Sequence, residues 1–175
     1  MKKIGIVVLS ICAIFLVTAC GKGKTENTKN IEGVEISDNL TTYAYRKNFT
    51  YDYDIVIAKY DKEGNFKYYE TTRTYYDGDA LNEDCSDVEN SDFKDLVIIC
   101  EKTKDEIIRG YSFTDKTIAD GILDSENHSA LIERYNNVST EEKAKEYFGK
   151  VKSYLDGNDS KNFLIIANEK VELGN

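Results

Sequence analysis

Proline and tryptophan are absent from this chain, and histidine and methionine occur once each. Without proline no turn is set by a locked φ, so reversals of direction fall to Gly, Asn and Asp. The single histidine, His128, cannot build a histidine-rich metal centre. G-x-S-x-G, P-loop and H-E-x-x-H patterns are missing too, which leaves serine-hydrolase, nucleotide and zinc-protease chemistry without a motif. Basic excess is also lacking: 23 Lys and Arg stand against 32 Asp and Glu, for a formal charge of −9. That balance disfavours nucleic acid and a flat seat on anionic lipid, and its plainest role is solubility. No cofactor, no metal and no nucleic-acid partner are expected.

What is present begins at the N-terminus. Met1-Lys2-Lys3 is cationic, Ile4 to Val17 is an uncharged run of 14 residues, and Val17-Thr18-Ala19-Cys20 closes it. A cationic start, a short apolar run and small residues at its end are the requirements of a secretory signal. A spanning helix needs about 20 apolar residues. The segment resembles the signal peptide and lipobox of bacterial lipoproteins. The resemblance implies a diacylglyceryl group on the Cys20 sulfur, cleavage before Cys20, and a cell-membrane protein facing outside the cytoplasm. The membrane is then a partner through Cys20, since two acyl chains anchor stably. The alternative is an uncleaved anchor helix with an ordinary thiol at Cys20. Extended that far, the run reaches 17 residues, the low end of the spanning range.

The organisation that follows is a signal peptide over residues 1–19, a polar flexible tether over 20–38, and a single domain over 39–175. Val34 and Ile36 are the one alternating apolar pair in the tether, which suggests a short edge strand beginning there. Cys12 leaves with the leader and Cys20 carries lipid, so Cys85 and Cys100 remain. Two thiols in an exported domain predict one disulfide. The alternative is two free cysteines, with Cys100 a small buried hydrophobe.

Within the domain, Phe49, Tyr51, Tyr53, Ile55 and Ile57 alternate with Thr50, Asp52 and Asp54. Period two predicts a half-buried strand over Asn48 to Tyr60, with Tyr43 and Tyr45 repeating the pattern upstream. Asp61-Lys62-Glu63-Gly64-Asn65 predicts a hairpin loop, and Phe66 to Tyr76 the return strand. Leu96 to Cys100 is a continuous apolar run, which suggests a strand covered on both faces, and Glu106 to Thr114 returns beside it. Asp124 or Ser125 opens a short helix through Asn136. A second helix starts at a Ser139/Glu142 capping box, turns Tyr147, Phe148, Val151 and Leu155 to one face, and stops at Gly157. Phe163 to Ala167 reads as a last strand. The expected fold class is α+β: an antiparallel sheet of about five to seven strands packed by one or two C-terminal helices. The helix face should cover Phe49, Tyr51, Ile55 and Ile57.

Thirteen tyrosines are the main candidates for recognition, nine of them between Tyr43 and Tyr76. Tyrosine offers a large amphipathic contact area at low entropic cost. Tyr68-Tyr69 and Tyr75-Tyr76 must each straddle a sheet, so these four predict a binding surface on its outer face. The alternative is that they merely fill half-exposed strand positions. The acidic stretch Asp77, Asp79, Asn82, Asp84 and Asp87 fails the calcium-loop pattern, as does Asp156-Gly157-Asn158-Asp159. The functional expectation is a membrane-anchored extracytoplasmic lipoprotein with a non-enzymatic binding or interaction domain, its partner an envelope protein or a small ligand. The alternative is an anchored hydrolase of envelope polymers working through acidic residues.

Overall fold

The computed structural model describes residues 28–76, 85, 96–123 and 128–174. The elements run β1 (Thr28–Ile31), β2 (Val34–Ser37), β3 (Thr41–Asn48), β4 (Asp52–Tyr60), β5 (Phe66–Tyr75), β6 (Leu96–Lys102) and β7 (Ile107–Thr114). They continue with α1 (Asp115–Ala119), α2 (Ser129–Val138), α3 (Glu141–Lys152), β8 (Phe163–Ile166) and β9 (Glu169–Val171). Seven strands form one antiparallel sheet in the order β6-β7-β5-β4-β3-β8-β9, and β1 and β2 form a separate hairpin. The architecture is therefore a large antiparallel sheet with a few short helices. The helices are inserted before β8, and the last described element is a strand.

Local chemistry explains the turns. Gly64 takes φ +79° in the β4–β5 connection, where Asp61 accepts from the backbone N–H of Glu63 and Asn65. The α3 N-cap is Thr140, whose hydroxyl accepts from Lys143 N at 3.3 Å. This corrects the capping box at Ser139, which instead closes α2. α3 ends at Lys152, with Ser153 as its C-cap, short of Gly157.

Cross-strand register sorts the helix-facing side of the sheet into rows. The upper row is Tyr43, Ala58, Tyr69, Phe113 and Leu96. All five are buried, and they pack with Phe148, Val151 and Leu155 in the main core. Tyr43, Tyr60, Phe66 and Tyr135 add edge-on aromatic contacts with ring centroids 5.2 to 6.2 Å apart. The middle row is Tyr45, Val56, Thr71, Tyr111 and Ile98. The lower row is Lys47, Asp54, Arg73, Arg109 and Cys100. One face thus passes from dry to amphipathic to charged within three rows.

Four expectations are corrected here. The strand predicted over Asn48 to Tyr60 is broken by a turn at residues 49–51, leaving Phe49 40% and Tyr51 60% exposed. α3 does not cover Phe49, Tyr51, Ile55 and Ile57: Val56, Ala58 and Tyr60 point to the helices instead. Residues 55–58 are apolar on both parities, so alternation alone leaves the inward face undecided. Ile57 is half-buried on the opposite face, under the β1–β2 hairpin, where Val34, Ile36, Ala44, Phe163 and Ile165 form a second core. That hairpin corrects the tether over 20–38: residues 28–37 are folded onto the sheet, because Val34 and Ile36 fill a gap that the main core does not reach. Finally, β6 is an edge strand with Val97 53% exposed, so the apolar run Leu96 to Cys100 is not covered on both faces.

Candidate functional site

The leader and lipobox, with Cys20, lie outside the described residues, as do Asp77, Asp79, Asn82, Asp84 and Asp87 and the helix start at Asp124 or Ser125. Cys85 and Cys100 are joined in a disulfide with Cα atoms 5.6 Å apart. Cys100 lies in the lower row opposite Arg109, so the bridge fixes the chain at Cys85 beside the charged end of the sheet. In the Asp156–Asp159 turn, Asp156 accepts from Asn158 N at 2.8 Å and Asp159 from Lys161 N at 2.9 Å. These carboxylates hold the loop, and Asp159 also ties it to β3 by accepting from Asn48 Nδ2 at 3.0 Å. No group of three or more metal-ligating side chains is present among the described residues.

The four tyrosines expected to share a binding surface do not share one. Tyr69 is 3% exposed in the core, stacked on Phe113 at 5.2 Å. Tyr68 is on the opposite face and donates to Glu70. Tyr75 lies half-buried on the helix side, below Arg73. Tyr76 is exposed past the strand end, donating to Phe49 O at 3.0 Å. The pleat separates each adjacent pair, but burial of Tyr69 claims a side chain that the surface would need.

The structure gathers a different set. Tyr45 and Tyr111 come from the middle row, Tyr69 from the row above, and Tyr147 from α3. The Tyr45 and Tyr147 hydroxyls are 3.5 Å apart. Arg134 of α2 reaches Thr71 and Tyr111: Nη1 donates to Thr71 Oγ1 at 3.3 Å, and Cζ lies 5.9 Å from the Tyr111 ring centre. Its guanidinium also faces the hydroxyls of Tyr69 and Tyr111. Gly110 makes this floor possible. A Cβ there would lie 2.1 Å from Thr71 O, so only glycine lets β7 draw this close to β5.

The electrostatics are uniform. Burial pushes the Tyr45, Tyr69 and Tyr111 phenols above their ordinary value, and neighbouring tyrosines push Tyr45 and Tyr69 further. All three therefore stay protonated at neutral pH and can donate. Arg134 forms no ion pair among the described residues. Arg73, one row lower, is occupied: Nε lies 2.5 Å and Nη2 2.7 Å from the Asp54 carboxylate, with Asp52 at 3.6 Å.

Sequence reasoning missed this set because its members come from β3, β5, β7, α2 and α3. One signal was readable. The chain has only four arginines against 19 lysines, and Arg73, Arg109 and Arg134 all serve the helix-facing side of the sheet. Arginine is favoured over lysine where planar, forked donation matters.

A concavity of about 300 Å³ lies elsewhere, at the upper end, lined by Gly64, Phe66, Asp115, Ile118, Tyr135 and Thr140 among others. It is open, and no cluster of charged donors converges on it.

No known family model, curated protein or solved structure matches this chain. The geometry of the molecule itself therefore carries the functional argument.

Proposed function

We propose that this chain is a lipid-anchored extracytoplasmic lipoprotein with a non-enzymatic binding domain of the α+β class, in which α2 and α3 are the cover of one sheet face. Its mature form starts at Cys20, and its recognition surface is the middle row of the sheet with Arg134 and Tyr147 at its rim. The observation that carries the binding role is one guanidinium, without a carboxylate partner among the described residues, held against Thr71 and the phenols of Tyr69 and Tyr111 with Tyr147 nearby. Phenols kept protonated by burial are hydrogen-bond donors and poor bases, which suits recognition better than proton transfer. Asp52 and Asp54, toward the lower end of the same sheet face, are engaged by Arg73, which weighs against their use as an acid–base pair.

Two measurements test the reading. Intact-mass analysis of the native protein should give an N-terminal diacylated Cys20; a chain starting at Met1 with a free thiol overturns the anchoring. Crosslinking in intact cells from a photoreactive residue at Tyr147 should capture a partner or ligand that the same probe at Lys116 does not. Equal capture from both positions overturns the recognition surface.

A further inference from the structure

Resting on that binding role, we infer that the Arg134 niche is a receptor for an oxyanion group, a carboxylate or a phosphate, on the ligand. The groups around the guanidinium are hydroxyls, which both donate and accept. Arg134 brings five N–H donors; Thr71 takes one at 3.3 Å, and the Tyr69 and Tyr111 hydroxyls face the guanidinium as well. Arg134 is exposed, so incoming groups reach it from solvent. Tyr45 and Tyr147 place two hydroxyls 3.5 Å apart, a weak mutual contact that a stronger acceptor displaces. A guanidinium desolvated on one side by Tyr69 and Tyr111 binds a planar or tetrahedral oxyanion more tightly than one in open water.

The local charge is opposite to that of the chain. The whole sequence carries −9, yet the only carboxylate in the middle and lower rows is that of Asp54, held with Asp52 beyond it by Arg73. That ion pair keeps them from neutralising Arg134. A cationic ligand, the choice suggested by net charge alone, meets the wrong sign here.

Four arginines give four side-chain Nε–Hε signals in a ¹⁵N correlation spectrum, so each reports separately. Detergent-solubilised full-length protein is titrated with sodium phosphate and, separately, with sodium acetate, at ionic strength held constant with chloride. The Arg134 signal should move and saturate with at least one anion, while Arg46, stacked 3.7 Å over Tyr53 on the other face, stays still. Saturation by phosphate alone assigns a phosphate ligand, and saturation by acetate alone a carboxylate. Arg134→Lys should weaken the saturating titration by about tenfold or more through loss of the fork, and Tyr147→Phe by a smaller factor. Four signals drifting together without saturation, or an unchanged titration in Arg134→Gln read from the Tyr111 ring signals, overturns the inference. Crosslinking at Tyr147 that still captures a ligand in Arg134→Gln rejects the oxyanion receptor and leaves the binding role standing. Saturation at Arg134 with no capture in cells rejects the partner and leaves the receptor.

Discussion

The upper and middle rows of the same sheet face use the same residue type for opposite ends. Tyr43 and Tyr60 are buried in the upper part, and each hydroxyl is consumed by a fixed acceptor: Glu141 Oε1 at 3.1 Å for Tyr43 and Val138 O at 2.5 Å for Tyr60. Among the described residues, the Tyr45 and Tyr147 hydroxyls, on the row below and on α3, hydrogen-bond only each other, at 3.5 Å. A phenol with a dedicated backbone acceptor is structural, since removing it strands a buried carbonyl. A phenol facing another phenol and a guanidinium still has donating capacity to offer. The difference between core and site in this protein lies in what ends each side chain, not in composition.

The sharpest way to break this contrast is to empty the upper half. Phe148 is fully buried against Tyr43 and Tyr45, so Phe148→Ala should cost about 4 kcal/mol in a urea unfolding curve. A loss below about 1 kcal/mol would show that the upper row is not the core. Next, replacing Cys85 and Cys100 by serine opens a loop with a sequence separation of 15. That should lower stability by about 3 kcal/mol on the chain-entropy account, with Phe148 packing unchanged by near-UV dichroism. Then the paired test of the tyrosines: Tyr60→Phe should cost about 2 kcal/mol by leaving Val138 O unsatisfied, whereas Tyr147→Phe should change stability by less than about 0.5 kcal/mol. Equal losses would erase the distinction between the two rows. The smallest effect concerns α3, which carries Phe148 to one half and Tyr147 to the other. Thr140→Ala removes its cap and should cost about 1 kcal/mol, while Thr140→Ser restores it.

Much of the framework was legible in the residues. Gly64 after Asp61 marked a hairpin because positive φ and an Asx turn have few other sequence solutions. The helix carrying Phe148 and Val151 was visible from its 3.6-residue spacing, one residue off at its cap. β4 was harder, since Ile55, Val56, Ile57 and Ala58 satisfy both parities, and only the covering layers decide between them. Of the β1–β2 hairpin, the short strand at Val34 and Ile36 was readable from their alternation, whereas its partner Thr28–Ile31 carries a single apolar residue and reads as polar linker. The site was the least legible. Its contacts span Tyr45 to Tyr147, and register, not local pattern, assembles it. Arginine scarcity was the only trace it left in the sequence.

The small β1–β2 hairpin has a mechanical consequence. Thr28 pairs with Ser37, which leads directly into β3 at the end opposite Lys47. For a chain held at Cys20, only eight residues precede β1, and fully stretched they reach no more than about 29 Å. Under the proposed anchoring at Cys20, that span holds the sheet within a thin shell above the bilayer, and a ligand of the proposed surface is met inside that shell.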